Sequence, residues 1–302
     1  MKSYIFGGID IGSNAMRLLI TQVFKYKDHI KYRKISYTRF PIRLGLDVFE
    51  RGTISPKKKE QLLKALQAYK LLLEIHEVDD YRACATSAMR DAKNGAAIIE
   101  TIKTETGINL ETISGEEEAN IIYSQHLINK LGKKQNCIYI DVGGGSTDIS
   151  IFADHKKIIS KSFKIGTIRM KLNSIDQQEW LDMETWLKEM RKQYKFKYCI
   201  GTGGNINKVA KLLKHKEHSN HFFYLKDILH LQEKLEDMTN DERIIKYRLK
   251  PDRSDVITHA IDIYTSIMKN TDIEEIHIPK IGLADGMIRQ MYLDKKAANL
   301  VS

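Results

Sequence analysis

One short segment of this chain occurs twice, and this repeat constrains the fold more than any other feature. The first copy reads Ile9-Asp10-Ile11-Gly12-Ser13-Asn14-Ala15, and the second reads Ile140-Asp141-Val142-Gly143-Gly144-Gly145-Ser146. In each copy an apolar run ends in an Asp, a turn of small residues follows, and a second apolar run leads away. Asp10 aligns with Asp141 and Gly12 with Gly143, so the duplication of one supersecondary unit is the simplest explanation.

The repeated turn has the chemistry of an anion site. Glycine lets successive backbone N–H groups converge on an anion without a Cβ in the way, and the adjacent Asp can hold a divalent cation. Neither G-x-G-x-x-G nor G-x-x-x-x-G-K-[ST] is present, so the Rossmann and Walker types of nucleotide site are poor explanations. A single copy would be better explained as a tight hairpin turn. Two copies with matched Asp and Gly favour a phosphate clamp made of two facing hairpins.

The composition is that of an ordinary globular protein with room for two domains. The chain has 302 residues, 42% of them hydrophobic and 29% charged. It contains no run of eighteen apolar residues and no N-terminal stretch typical of a signal peptide, so we expect a cytoplasmic protein without membrane association. The three cysteines lie in apolar stretches and are predicted to be reduced, buried packing residues: Cys84, Cys137 and Cys199.

The chain is basic, with a formal net charge of +10. Much of the excess lies in clusters such as Lys57–Lys59, Lys133–Lys134 and Lys156–Lys157. Each cluster alone is better explained as a solvated surface. A positive field of this size nevertheless steers polyanions toward the protein, and salt weakens that attraction. The net charge therefore suggests that the substrate is anionic, but it does not indicate which reaction the protein catalyses.

Alternating strands and helices predict an α/β fold. We expect strands at residues 30–40, 81–85, 108–113, 197–201 and 274–278. Helices are predicted to start at Pro56, Ser87, Ser114, residue 178, Asn205 and Gly282, with a loop at Gly45–Gly52 and one helix running through Arg253–His259. We place the domains at residues 1–124 and 125–302, with one repeated loop in each, a cleft between them, and a terminal helix that can pack back on the first domain.

The segment Ser114-Gly115-Glu116-Glu117-Glu118 carries three consecutive acids. Ser114 and Glu117 fit a capping box, and the helix dipole explains Glu116. Glu118 lies past the cap, where no structural rule requires an acid. Alone it would be a solvated surface residue. Beside a phosphate clamp it is a candidate general base for water.

A second candidate is Arg90, in the segment Thr86-Ser87-Ala88-Met89-Arg90-Asp91. The segment lies where a strand leads into a helix, and a helix N-terminus offers free N–H groups to anions. Arg90 is one turn further on and could bind a phosphate with two hydrogen bonds. A surface ion pair with Asp91 or Asp79 explains it equally well.

Together these segments resemble the exopolyphosphatase and guanosine-pentaphosphate phosphatase family, in its short two-domain form. The resemblance covers nearly the whole chain, and its specificity comes from the set and order of the motifs. They are Asp10-Ile-Gly-Ser-Asn14 with Arg17, Thr86-x-Ala-x-Arg90, Ser114-Gly-x-Glu-Glu118-Ala, Asp141-x-Gly-Gly-Gly-Ser-Thr147, Gly201-x-Gly-Gly204 and Gly282-Leu-Ala-Asp-Gly286.

The resemblance implies a fold, an activity and residue roles. The fold would be that of actin, sugar kinases and Hsp70, with two related ribonuclease H-like domains facing across a cleft. The activity would be Mg²⁺-dependent phosphoryl transfer to water, with Glu118, Arg90 and Asp141 as catalytic residues. Metal ligands would be Asp10, Asp141 and Asp148. The implied phosphate-binding residues are Gly12, Ser13, Asn14, Arg17, Gly143, Gly144, Gly145, Ser146 and Thr147.

Two positions depart from the family pattern. Ala15 replaces a Ser, which removes a hydroxyl donor, and Asp148 stands where a Glu is common, which shortens a carboxylate.

The expected substrate is inorganic polyphosphate, with guanosine pentaphosphate as the close alternative. We expect no nucleic-acid partner, and the assembly is compatible with a homodimer. A small-molecule kinase or a catalytically silent polyphosphate or nucleotide sensor are alternatives of other classes. His215, His218 and His221 are predicted to form a solvated loop rather than a metal site.

Overall fold

We describe the protein from a computed structural model, in which residues 3–26, 29–122, 136–154, 156–213, 222–279 and 281–301 can be described. Internal contacts divide the chain into two compact units, and we describe each by itself. The first comprises Met1–Tyr123 together with Gly282–Ser302, and the second comprises Ser124–Ile281. The predicted domain boundary and histidine loop lie outside the described residues. Within those ranges, no helix is both long and apolar enough to cross a membrane.

The N-terminal part of the chain alternates strands with helices. Its strands are β1 (Ser3–Ile11), β2 (Met16–Tyr26), β3 (His29–Phe40), β4 (Asp80–Ala85) and β5 (Leu110–Thr112). Its helices are α1 (Leu44–Arg51), α2 (Pro56–Ile75), α3 (Ser87–Asp91), α4 (Gly95–Thr106) and α5 (Gly115–Ile122). The predicted start of α2 is confirmed, because the Ser55 side chain accepts a hydrogen bond from the Lys58 N–H and Pro56 occupies the first turn.

The remaining part follows the same plan. Its strands are β6 (Cys137–Val142), β7 (Thr147–Ala153), β8 (Lys156–Phe163), β9 (Tyr198–Thr202), β10 (Phe222–Tyr224) and β11 (Glu275–His277). Its helices are α6 (Thr167–Lys171), α7 (Gln177–Gln193), α8 (Gly204–Leu213), α9 (Leu225–Glu236), α10 (Asn240–Tyr247), α11 (Pro251–Ser254), α12 (Ile257–Asn270) and α13 (Leu283–Val301).

The first unit is built on a five-stranded sheet in the order β3-β2-β1-β4-β5. Strands β1, β2 and β3 are antiparallel neighbours, whereas β4 and β5 run parallel to β1. Helices cover both faces of β1, whose consecutive residues point to opposite sides. A Cβ on Gly7 would lie 2.5 Å from Leu73 of α2, and a Cβ on Gly8 would lie 2.9 Å from the carbonyl oxygen of Ala284 in α13. The two glycines therefore allow close packing of α2 and α13.

The second unit is built on a six-stranded sheet in the order β10-β11-β9-β6-β7-β8. Strands β6, β7 and β8 are antiparallel neighbours, and β9 and β11 run parallel to β6. Strand β10 adds an antiparallel edge. Apolar residues of β6, β7 and α12 share one core in this unit, among them Ile140, Ile149 and Tyr264.

The two sheets share one topology. Strands β6, β7, β8, β9 and β11 repeat the order and directions of β1, β2, β3, β4 and β5. The duplication inferred from the two loops therefore extends to whole sheets. The predicted fold class, α/β with two units of ribonuclease H-like topology, is confirmed.

Two local predictions are wrong. Gly45–Gly52 was expected to be a loop but lies largely in α1 (Leu44–Arg51). Gly45 is needed for space, since a Cβ there would lie 2.8 Å from the Phe49 ring and 3.0 Å from the Ser13 Cβ. The helix expected through Arg253–His259 is broken, because α11 ends at Ser254 and α12 begins at Ile257. Asp255, in the break, forms an ion pair with Lys171 at 2.7 Å.

Candidate active site

The first repeated loop is a tight turn between β1 and β2. The Gly12 N–H donates to the Ala15 carbonyl at 3.1 Å, which closes the turn. The start of α1 holds the other side, because the Gly45 N–H donates to the Ser13 carbonyl at 2.8 Å and the Arg43 N–H to the Asn14 carbonyl at 3.1 Å. In a trans peptide the C=O and the following N–H point to opposite sides. The amides of Asn14 and Ala15 are therefore directed away from α1.

The second loop has the same construction. The Gly143 N–H donates to the Ser146 carbonyl at 2.9 Å. The N–H groups of Thr167 and Ile168, at the start of α6, donate to the carbonyls of Gly143 and Gly144 at 3.1 and 2.8 Å. The Arg169 Nε donates to the Gly145 carbonyl at 2.8 Å. By the same peptide geometry, the amides that follow these three carbonyls are directed away from α6, and consecutive N–H groups on one side make an anion-binding concavity.

Asp10 lies at the end of β1 in a row of charged side chains. It is directly opposite Arg17 on β2, and Arg17 is directly opposite Arg39 on β3. Residues directly opposite in a sheet share a face. The Asp10 carboxylate accepts a hydrogen bond from the Arg17 guanidinium, and the Asp10 residue is buried. Two predicted site residues of the first unit are thus joined in one ion pair.

The equivalent row of the second unit has a different charge pattern. Asp141 on β6 is directly opposite Asp148 on β7, the position that corresponds to Arg17. The Thr202 hydroxyl donates to Asp141 Oδ1 at 2.9 Å, and the Tyr139 and Thr202 hydroxyl oxygens are 2.7 Å apart. The Ser146 hydroxyl donates to Asp148 Oδ2 at 3.3 Å. These hydroxyls position both carboxylates next to the second loop.

Asp141 and Asp148 fit a magnesium ion by their chemistry. Mg²⁺ takes oxygen ligands, and proteins commonly hold it with one or two carboxylates plus substrate phosphates. Two carboxylates directly opposite each other destabilise a strand pair, and a bound cation offsets that cost. Among the described residues there is no group of three or more His, Cys, Asp or Glu side chains that could hold a metal. Asp10, the third predicted ligand, belongs to the other unit, and its metal role stays a prediction.

The Tyr264 side chain contacts β6, which leads into the second loop, and the neighbouring strand β9. Its hydroxyl donates to the Thr202 carbonyl, and its oxygen also lies 3.3 Å from the Ile140 carbonyl oxygen. Burial, and then the negative charge of Asp141, raise the pKa of Tyr264 well above its usual value. The hydroxyl therefore stays protonated and acts as a donor that ties β6 to β9.

The three cysteines are buried, as predicted. Burial raises the pKa of Cys84 to about 12 and the pKa of Cys137 to about 11. Burial also raises the pKa of Cys199. Because the thiolate is the reactive form, none of these side chains is suited to act as a nucleophile at neutral pH.

The acidic segment begins α5. The Ser114 hydroxyl accepts a hydrogen bond from the Glu117 N–H at 3.1 Å, as predicted for a helix cap. The Glu117 carboxylate lies 3.3 Å from the Arg82 guanidinium. The Glu118 N–H donates to the Ser114 carbonyl at 2.9 Å, which fixes its backbone, and the residue is half-buried. Arg82 is also bound by Glu111 at 2.7 Å, so Glu117 belongs to an ion-pair cluster with Arg82 and Glu111.

Arg90 ties α3 to the segment that precedes α5. Its guanidinium donates to the Ile113 carbonyl at 2.7 Å and lies 3.8 Å from the Asp91 carboxylate. The Ser87 hydroxyl at the start of α3 lies 2.8 Å from the Ser13 hydroxyl of the first loop. The pair with Asp91, which was one of two alternative explanations of Arg90, is present, together with a contact to Ile113 that sequence reasoning missed.

Parallel strands explain why these segments meet within each unit. The carboxyl ends of β1, β4 and β5 lie at one edge of the first sheet, and they lead into the first loop, α3 and α5. The carboxyl ends of β6 and β9 likewise lead into the second loop and the turn at Gly201–Gly204. Ligands of open α/β sheets bind at this edge. Each unit thus gathers its own predicted residues at the edge where binding is expected.

Sequence reasoning missed several residues that shape the second loop. Thr202 and Arg169 make the contacts described above, and Thr167 is 1% exposed with its hydroxyl unpartnered within the described residues. Thr147, predicted to bind phosphate, donates its hydroxyl to the Ile165 carbonyl at 2.6 Å. Aligning the strand ends of the repeat could have found Thr202. The contact of Arg169 depends on tertiary structure and had no sequence signal.

Comparison with known proteins identifies the family. The model of the Ppx/GppA phosphatase family matches residues 22–295, which is most of the chain. This chain belongs to the Ppx/GppA phosphatase family. The family resemblance expected from the motifs is therefore confirmed, and this Ppx/GppA-family chain can be compared with relatives along nearly its full length.

Three curated relatives show how far the likeness extends. A bifunctional 3-dehydroquinate synthase/phosphatase of Fusobacterium nucleatum is 28% identical over 297 residues, covering 88% of this chain and 43% of the relative. Exopolyphosphatase 2 of Mycobacterium tuberculosis is 24% identical over 307 residues, covering 92% and 96%. A guanosine-5'-triphosphate,3'-diphosphate pyrophosphatase of Aliivibrio fischeri is 22% identical over 309 residues, covering 96% and 61%.

A solved structure shows the same fold. The crystal structure of an exopolyphosphatase from Cytophaga hutchinsonii matches with a TM-score of 0.82 and 22% identity, covering 96% of this chain and 97% of that one. The chain spans less than half the length of the curated relatives that it matches first. The fold and the family of this chain are thus established.

Proposed function

We propose that this Ppx/GppA-family protein is a Mg²⁺-dependent phosphohydrolase that releases terminal orthophosphate from inorganic polyphosphate. The observation that carries the proposal is the pair of loops, each held by a helix start so that its amides point away from that helix. Such amides suit phosphate oxygens. Family membership and the Mycobacterium relative named exopolyphosphatase support the proposal.

In this proposal each loop binds phosphate oxygens through its own backbone amides. In the first loop the backbone amides of Asn14 and Ala15 would bind phosphate. Because these donors belong to the backbone, the hydroxyl that Ala15 lacks is less important than the sequence suggested. In the second loop the amides of Gly144, Gly145 and Ser146 would bind phosphate. Arg17, which is paired with Asp10, and Arg90 would donate hydrogen bonds to phosphate oxygens at the edge of the first unit. Positioning and charge neutralisation are the main sources of rate in phosphoryl transfer.

We assign Asp141 and Asp148 to the magnesium site. Bound Mg²⁺ would neutralise negative charge that builds up on the transferred phosphoryl group. Asp141 would be held for this by the Thr202 hydroxyl and Asp148 by the Ser146 hydroxyl. The shorter Asp at position 148 is consistent with this assignment because that carboxylate faces Asp141 directly.

We assign the general base to Glu118. Its carboxylate would take a proton from the attacking water as the new P–O bond forms. The anhydride P–O bond then breaks, and the shortened chain leaves with the bridging oxygen. We assign no such role to Glu117, whose carboxylate is paired with Arg82. This division of roles makes Glu117 a control for Glu118.

Guanosine pentaphosphate is the alternative substrate. The Aliivibrio relative is named for that compound, and a triphosphate end would suit the same loops. The predicted cytoplasmic location and the compatibility with a homodimer stay predictions.

The proposal is tested by phosphate release in the presence of Mg²⁺. Polyphosphates of several lengths, guanosine pentaphosphate and ATP are compared in parallel, each at several concentrations. We expect release from polyphosphate with kcat/KM well above that for ATP. A higher kcat/KM for guanosine pentaphosphate would select the alternative substrate. Binding without release from any substrate would indicate a sensor, and transfer to a small-molecule acceptor would indicate a kinase.

A further inference from the structure

Most of the net charge of this protein lies in one hairpin. Residues 16–43 contain eight Lys or Arg residues and a single Asp, so they carry +7 of the chain's +10. The other 274 residues together carry only +3. We call residues 16–43 the basic hairpin; it comprises β2, β3 and the segment up to α1. The lysine clusters singled out from the sequence lie elsewhere in the chain, where acidic residues offset most of their charge.

The structure places this charge on an accessible edge. Strand β3 is the outer strand of the five-stranded sheet as described. Lys25, Lys31 and Arg33 are exposed and form no ion pair within the described part of the chain. Lys34 is also exposed, although it pairs with Asp285 of α13 at 2.8 Å. The hairpin thus presents several cations to solvent with little internal neutralisation.

The basic hairpin is continuous with the first phosphate loop. Its strand β2 starts directly after residues 12–15, and Arg17 and Arg39 stand in the same row as Asp10. From Arg39 in this row, β3 extends back ten residues to His29, about 33 Å at the usual rise. By register, Lys25 lies on the sheet face of Arg17, whereas Lys31 and Arg33 lie on the other face. A polyanion that follows the outer edge of β3 could therefore be contacted by cations from both faces without leaving the first unit.

Two alternative roles fit the basic edge less well. Lysine on an edge strand prevents unwanted pairing with other strands, but that role does not explain why the edge strand adjoins a phosphate loop. Single-stranded nucleic acid would also contact cations, with bases stacked on exposed aromatic rings, and Tyr37 is 59% exposed. The junction with a phosphate loop favours a chain made of phosphates alone, since its end would lie in the loop and its length along the edge strand that follows.

We propose that the basic hairpin binds the distal part of a polyphosphate chain whose terminal phosphate occupies the first loop. This inference rests on the phosphohydrolase function proposed above. It names the surface that distinguishes long chains from short ones. A triphosphate would reach only the loop and the row of Arg17, whereas a chain of several dozen phosphates would also contact Lys25, Lys31 and Arg33.

The test is direct binding to the full-length protein, independent of turnover. Affinities for tripolyphosphate and for a chain of several dozen phosphates are titrated against salt by fluorescence anisotropy or calorimetry. The triple variant Lys25→Gln, Lys31→Gln, Arg33→Gln is compared with the matched control Lys57→Gln, Lys103→Gln, Lys195→Gln, which removes the same charge from exposed positions elsewhere. Circular dichroism of both variants checks that the fold is retained.

We expect the triple variant to lower the ratio of long-chain to tripolyphosphate affinity about tenfold, or ~1.4 kcal/mol, since each surface contact contributes modestly. The control should leave that ratio near the wild-type value, and the salt dependence should be steeper for the long chain. Equal ratios in both variants would overturn the inference. Tighter binding of a single-stranded RNA of matched charge, lost in the triple variant, would also overturn it. Hairpin-dependent binding without phosphate release would refute the proposed function and leave the docking surface standing.

Discussion

At the residue scale, one position of the duplicated sheet carries opposite charges in the two units. Arg17 faces Asp10 in the first unit, whereas Asp148 faces Asp141 in the second. The first pair is internally neutral. The second pair concentrates negative charge, which suits a divalent cation. The corresponding positions of the duplicated units therefore differ in chemistry, with a guanidinium in one and a carboxylate in the other.

Removing one carboxylate charge tests this assignment. We predict that Asp141→Asn raises the Mg²⁺ concentration for half-maximal phosphate release about tenfold, because a charged oxygen ligand is lost. An Asn oxygen can still accept the hydrogen bond from Thr202, so the fold should hold. Asp182→Asn, at an exposed position on α7, is the matched control. An unchanged magnesium profile for Asp141→Asn would make Asp141 only a turn residue.

At the element scale, each phosphate loop depends on the helix start behind it. The carbonyls of the first loop are bonded by α1, and those of the second by α6. Gly166 lets α6 approach, because a Cβ there would lie 2.5 Å from backbone atoms of Gly144 and Gly145. The orientation of the loop amides thus follows from packing between a turn and a helix that are distant in sequence.

Gly166→Ala should therefore disturb the second loop. Overpacking of this kind costs about 1–3 kcal/mol, and we expect the melting temperature to fall by several degrees and phosphate release to fall with it. Gly282→Ala is the control, since a Cβ at Gly282 would have nothing within 4 Å. Differential scanning calorimetry compares the two variants. A melting temperature for Gly166→Ala equal to that for Gly282→Ala would show that the close approach has no energetic consequence.

The same elements show what sequence could predict and why. The two hairpins were predictable because their signal is local, an apolar run followed by an Asp and small residues. Helix α1 was missed because Gly45 suggested a loop, while its actual role is to allow contact with Ser13. The break between α11 and α12 depends on tertiary contacts such as Lys171 with Asp255. The local sequence pattern thus predicted the two loops. The contacts that fix their conformation join residues distant in sequence, so they could not be predicted in the same way.

At the scale of the whole molecule, the duplication explains the architecture. Two sheets of one topology give two carboxyl edges, and each edge has one loop closed by the same kind of backbone hydrogen bond. Candidate residues from the sequence lie at those edges, although their roles remain proposals. The distribution of charge was less predictable. The net charge could be counted from the sequence. That much of it lies on an exposed edge hairpin became clear only when β3 was placed at the edge of its sheet.

The central claim is that this protein transfers a phosphoryl group to water activated by Glu118. The most direct measurement is the rate at which labelled orthophosphate forms from polyphosphate in ¹⁸O-enriched water with Mg²⁺. We predict one labelled oxygen per released phosphate in the wild type. For Glu118→Gln we predict a rate about 10²–10⁴-fold lower than wild type with substrate affinity retained. Glu117→Gln should keep a rate near that of the wild type. Equal rates for Glu118→Gln and Glu117→Gln, or phosphate released without label, would contradict the account.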